Sequence, residues 1–165
     1  MNAPFHHILV ATDFSAGAEH AMHTACELSR VYSAPLTVLH VDDPVPYPLP
    51  DGYMMYTAVQ LSAAPEELER RLENAKVDAQ AAGAVHVETR LLQGAPATQI
   101  VRFAKDGDYD LIVMGTHGRR GVARLLLGSV AACVVQTSEC PVLTVRRPAQ
   151  PTDAPLDERT AASPA

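Results

Sequence analysis

Gly115, Gly118, Gly128 and Ser129 stand in the order G-x2-G-x9-G-S, with Arg119 and Arg120 just after the second glycine. Glycines that follow a strand let the backbone turn tightly and bring its N–H groups close to an anion. Gly118 would expose main-chain donors with no side chain in the way. Gly128-Ser129 suits a helix start, where free N–H groups and the helix dipole attract negative charge. The Ser129 hydroxyl adds a donor, and either arginine adds charge-assisted contacts. This is the chemistry of a phosphate site, and it points to a nucleotide.

Charge distribution supports a small anionic ligand. The chain carries a net charge of -6, which argues against general nucleic-acid binding. Residues 115–147 nevertheless hold five arginines and one acid, Glu139, leaving 8 basic and 18 acidic residues elsewhere. A local basic segment in an acidic protein fits a nucleotide better than a long polyanion.

The elements that must position these residues follow from apolar patterning. Ile8-Leu9-Val10-Ala11 reads as a strand buried on both faces. Thr12-Asp13-Phe14-Ser15 follows as a loop, with Ser15 as N-cap of a helix reaching about Tyr32. Ala18, Ala21, Met22, Ala25, Leu28 and Tyr32 give that helix one apolar face. Leu36 to Val41 is a second strand. Residues 42–64, with Pro44, Pro46, Pro48 and Pro50, read as a long loop of functional or mobile type. Pro65 opens a second helix and Gly83 stops it. Val85–Leu92 is a third strand, Pro96 to about Gly107 a third helix, and Tyr109–Met114 a fourth strand. Gly128-Ser129 opens a fourth helix, and Val142–Val145 is a fifth strand. Residues 148–165 read as a disordered tail outside a single domain of residues 1–147.

Strands alternating with helices predict an α/β fold, an open parallel sheet with helices on both faces. In such sheets ligands sit at the carboxyl ends of the strands, where the winding direction reverses. If strands 1 and 4 flank that point, Asp13 and Gly115 face each other across one crevice. Asp13 could then accept from ribose hydroxyls or hold a metal bound to phosphates. Val41, ending strand 2, offers backbone groups and an apolar wall to a base. Each residue also has a plainer role: turn glycine, helix cap, loop acid, core strand residue.

Other chemistry finds little support. Neither a G-x4-G-K-[ST] loop nor a G-x-G-x-x-G after strand 1 is present. No G-x-S-x-G occurs, and no nucleophile–base pair emerges from spacing. His20 and His23 share a helix face but lack a third metal ligand, and His117 reads as a backbone contributor to the glycine loop. The other six histidines have no partner apparent from sequence. Cys26, Cys133 and Cys140 read as small buried hydrophobes in a reducing cytoplasm. No secretory signal is visible, and no apolar run reaches the ~18 residues of a membrane span.

The chain resembles the universal stress protein family. The resemblance rests on Ile8-Leu9-Val10-Ala11-Thr12-Asp13-Phe14-Ser15, His40-Val41, Asp110 through Gly118, Gly121, Leu127-Gly128-Ser129-Val130-Ala131 and Cys140-Pro141-Val142-Leu143. It implies a Rossmann-like five-stranded sheet of order 3-2-1-4-5 and a homodimer formed largely through the last strand. The complete glycine pattern resembles the family's ATP-binding branch. By that resemblance Ala11, Thr12, Asp13 and Val41 meet the ribose and adenine. Gly115, Thr116, His117, Gly118, Arg119, Arg120, Gly128, Ser129 and Val130 hold the phosphates. Mg or Mn would accompany ATP at Asp13. Ala11 stands where many relatives have proline, which alters loop stiffness more than a backbone contact.

These readings predict a cytoplasmic, dimeric, ATP-binding stress or signalling protein, without a catalytic base. Two alternatives compete. One is a slow ATPase or phosphotransferase with Asp13 or a metal positioning water. The other is a nucleotide-free interaction module using the Tyr53–Tyr56 patch or the dimer surface.

Overall fold

The computed structural model describes residues 4–43, 47–48, 54–55, 64–116 and 127–146. Its main element is a five-stranded sheet. Strand β1 (Ile8–Ala11) pairs in parallel with β2 (Pro35–Asp42) on one side. Two short strands, β3 (Tyr47–Pro48) and β4 (Met54–Met55), follow and pair antiparallel. Strand β5 (Val85–Gln93) pairs with β2, β6 (Leu111–Gly115) with the free side of β1, and β7 (Val142–Val145) with β6. The order β5-β2-β1-β6-β7 is the expected 3-2-1-4-5 arrangement, and the winding direction reverses between β1 and β6.

Four helices make the crossovers: α1 (Ala16–Tyr32), α2 (Pro65–Ala81), α3 (Pro96–Asp106) and α4 (Ser129–Thr137). The two-residue period of the strands splits the core into two layers. Ile8, Val10, Leu36, Val38, Leu111 and Val113 pack toward Ala21, Ala25 and Cys26 of α1 and Leu72 and Ala79 of α2. Their neighbours Leu9, Ala11, Leu39, Ile112 and Met114 pack toward Ile100 and Ala104 of α3 and Ala131 and Val134 of α4. Near-continuous apolar strands are thus the mark of a sheet covered on both faces.

Helix ends follow local chemistry. The Ser15 hydroxyl accepts from Ala18 N at 3.3 Å, capping α1 as expected. Pro65 and Pro96 occupy first-turn positions. Gly83 takes φ 88°, the left-handed turn that ends α2. One core contact escapes periodicity. Ser29, fully buried in α1, donates to Ala34 O at 2.7 Å and accepts from Val85 N at 2.8 Å. It satisfies backbone groups at the starts of β2 and β5 that would otherwise be buried unpaired.

Three expectations need correction. The segment expected to be a loop from Asp42 onward begins within β2 and carries the β3–β4 ladder, because backbone pairing does not need apolar alternation. The fourth main strand starts at Leu111, with Tyr109 before it, and extends to Gly115. Cys133 is exposed on α4 and Cys140 half-buried, while Cys26 alone is a buried small hydrophobe. The 53–56 patch is described only at Met54 and Met55, and the 148–165 tail lies outside the described residues.

A candidate nucleotide crevice at the carboxyl ends of β1 and β6

The β1 side of the switch point is a turn made rigid by its own side chains. Thr12 continues the ladder, its N–H donating to Leu39 O at 2.9 Å. The Thr12 hydroxyl accepts from Phe14 N at 3.0 Å, and Asp13 Oδ1 accepts from Ser15 N at 3.1 Å. Such short-range side-chain bonds are what Thr and Asp supply at turns. Thr12 is buried and Asp13 half-buried. His40, buried on β2, lies with Nδ1 2.7 Å from Thr12 O. Val41, next along β2, is half-buried and packs on the α3/α4 layer with Leu92.

On the β6 side, Gly115 is the last strand residue. A Cβ there would lie 3.0 Å from the Gly17 carbonyl carbon and oxygen. The glycine is therefore required by close packing of β6 on the first turn of α1, in addition to any role toward a ligand. Thr116 N–H donates to Val145 O at 3.0 Å, and Gly128 N–H donates to Thr116 O at 2.7 Å. This last bond joins the two ends of the glycine-rich loop at the crevice. Gly128 is the N-cap residue of α4 with extended backbone, and as a glycine it makes no side-chain cap bond. Ser129 is the first helical residue and is exposed, with Val130 half-buried behind it. Hydroxyl capping, the plainer role open to Ser129, is thus not the one it plays.

The fold brings Ala11, Thr12 and Asp13 to the end of β1, Val41 to the end of β2, Gly115 and Thr116 to the end of β6, and Gly128, Ser129 and Val130 to the start of α4. His117, Gly118, Arg119 and Arg120 lie outside the described residues. Among the described residues no group of three metal-ligating side chains forms. His23 on α1 instead lies 3.9 Å from Glu27.

Besides His23, sequence reasoning missed the partners of three more histidines among the described residues. His40 bonds Thr12, as above. His6 and His7 donate their main-chain N–H groups to Asp110 Oδ2 at 2.6 Å and Oδ1 at 3.1 Å, at the opposite end of the sheet. The His6 ring approaches the same carboxylate at 3.3 Å, and the His7 ring stacks on Tyr109 with centroids 3.8 Å apart. For His40 a signal existed: it is an imidazole inside the mostly apolar strand β2.

Charge near the crevice is organised by α2. Glu67 accepts from Arg70 and Arg71, with contacts of 2.7 and 2.9 Å. Hydrogen bonds from Arg71 and then Arg70 hold its carboxyl below the ordinary carboxylate range. The Arg71 guanidinium lies 5.7 Å over the Phe14 ring centroid, within cation–π range.

Comparison with known proteins gives a consistent family. Residues 4–146 match the universal stress protein family. A universal stress protein of Thermus aquaticus is 40% identical over 146 residues, covering 86% of this chain and 99% of the relative. One from Methanocaldococcus jannaschii is 35% identical over 144 residues, covering 86% and 82%. Among solved structures, UspA from Lactobacillus plantarum superposes with a TM-score of 0.76 at 28% identity, covering 88% of this chain and 100% of that one. A universal stress protein in complex with cAMP gives 0.67 at 28% identity, covering 86% and 97%. The Archaeoglobus fulgidus protein in complex with dAMP gives 0.61 at 27%, covering 86% and 98%. Sheet order, core layering and sequence match agree: this chain belongs to the universal stress protein family.

Proposed function

We propose that this universal stress protein binds an adenine nucleotide, ATP foremost, in the crevice between the ends of β1 and β6, and acts by nucleotide-dependent conformation or partner choice. The observation that carries the reading is the convergence of the side-chain-bonded Thr12–Ser15 turn and the α4 N-terminus, whose N-cap residue Gly128 makes no side-chain cap bond, at the reversal point of the sheet. Helix N-termini of this kind favour anions. Solved relatives with cAMP and with dAMP support an adenine nucleotide as the ligand class.

In this reading Asp13 and the backbone of Ala11 and Thr12 meet the ribose, and Val41 walls the base. Gly115, Thr116, His117, Gly118, Arg119, Arg120, Gly128, Ser129 and Val130 surround the phosphates. Asp13 is the carboxylate that would hold Mg or Mn through those phosphates. The protein acts as a homodimer through β7, an edge strand whose Leu143 is exposed, as is Val135 of α4. It works in the cytoplasm, and among the described residues no helix is long and apolar enough to cross a membrane.

The test is nucleotide extracted from purified protein, analysed by chromatography, with calorimetric titration of ATP, ADP, AMP and cAMP. Co-purifying adenine nucleotide or saturable binding is expected. A protein that carries none and shows no affinity for any of the four would overturn the reading.

A further inference from the structure

The least expected geometry lies behind the β1 side of the crevice. Phe14 holds φ 59°, a left-handed conformation that bulky L-residues avoid because Cβ crowds the following carbonyl oxygen. Such strain persists only where the surroundings enforce it. Two groups do so here. The His40 ring packs on the Phe14 ring with centroids 4.6 Å apart and planes inclined at 42°. On α2, Arg71 stands over the same ring while its Nε donates to Glu67 Oε1 at 2.9 Å. His40 also reaches past Phe14 to Thr12 O at 2.7 Å. A carbonyl oxygen can only accept, so Nδ1 carries the proton and donates. The turn is thus held by its own bonds, Phe14 N–H to Thr12 Oγ1 and Ser15 N–H to Asp13 Oδ1, and from behind by His40.

We propose that His40 and Phe14 form a positioning clamp for the Thr12–Ser15 turn, with Arg71 as its outer jaw, and that this clamp sets how tightly the crevice holds a nucleotide. The inference rests on the nucleotide reading above and extends it to side chains behind the crevice. His40 and Phe14 are positioning residues: they fix where Asp13 and the Thr12 backbone present their polar atoms. Preorganisation of this kind raises affinity by removing the cost of ordering the site on binding.

The experiment compares full-length wild type with His40→Asn, His40→Leu and Phe14→Gly. Asn places an amide N–H close to the Nδ1 position, whereas Leu fills volume without a donor. Calorimetry with ATP reads affinity, and amide hydrogen exchange at Phe14 and Ser15 reads the turn directly. Expected are ATP binding within about threefold of wild type for His40→Asn and weakening of about tenfold for His40→Leu, one hydrogen bond's worth. Exchange at both amides should be faster in His40→Leu. Glycine accepts a positive φ without strain, so Phe14→Gly should fold and yet bind several-fold more weakly. It keeps the test sharp if His40→Leu is poorly folded. Wild-type affinity in both His40→Leu and Phe14→Gly, or an Asn variant as weak as the Leu variant, would overturn the clamp. If no form binds any adenine nucleotide, the nucleotide reading fails by itself. The exchange rates then decide the clamp, with unchanged protection in His40→Leu overturning it and lost protection supporting it.

Discussion

The two ends of the central sheet use the same residue types for different ends. At the amino end, Asp110 receives the His6 and His7 main-chain N–H groups, His7 stacks on Tyr109, and the buried Tyr109 hydroxyl donates to Thr37 Oγ1 at 2.8 Å. These bonds link residues distant in sequence and close the fold. At the carboxyl end, Thr12, Asp13 and His40 bond mainly to the turn itself, which shapes the loop that follows β1. Polar chemistry alone therefore does not mark a site. What distinguishes the carboxyl end is its position at the winding reversal, beside a helix start whose N-cap residue, Gly128, makes no side-chain cap bond.

Substitutions at each end should separate stability from binding. The largest effect should come from Gly115→Val, which forces a side chain against the Gly17 backbone. A loss of about 2–3 kcal/mol in denaturant unfolding is expected, with nucleotide binding impaired as well. Asp13→Ala should weaken ATP binding about 10- to 100-fold in calorimetry, by losing a charged acceptor. Its stability should fall by under about 1 kcal/mol, the order of one local turn bond. Asp110→Asn should show the reverse pattern: stability lower by about 1 kcal/mol and ATP affinity unchanged. A parallel loss of affinity in Asp110→Asn would erase the distinction between the two ends.

The smallest effect concerns the cysteines. Burial pushes the Cys26 thiol from 9.0 up to about 11. The unfolded chain therefore loses this proton first on alkaline titration. The stability from a buried neutral thiol is complete below about pH 9 and is lost as pH rises through about 11. Cys26→Ala should flatten the fall in melting temperature across that window. In the native protein a thiol reagent should modify exposed Cys133 rapidly and Cys26 slowly.

The comparison also explains what the sequence could disclose. Every strand of the main sheet and every helix follows from local apolar period and end signals, as Ser15, Pro65 and Pro96 show. Sheet order and family membership agree with the sequence reading. What periodicity could not convey were bonds made by single polar residues across large separations: Ser29 to Val85, Asp110 to His6, His40 to Thr12. These depend on which strands become neighbours, and one residue carries no periodic signal. Gly115 was legible as important but for an incomplete reason, since its contact with Gly17 exists only once α1 packs on β6. The positive φ of Phe14 had no local signal, because the groups that enforce it lie on β2 and α2.

The most direct test of the account is an amide chemical-shift titration of isotope-labelled protein with ATP. The account predicts saturable shifts concentrated at Thr12, Asp13, Val41, Thr116, Ser129 and Val130, with His6, Tyr109 and Asp110 unmoved. Shifts centred on the amino end of the sheet, or none at any ATP concentration, would contradict it.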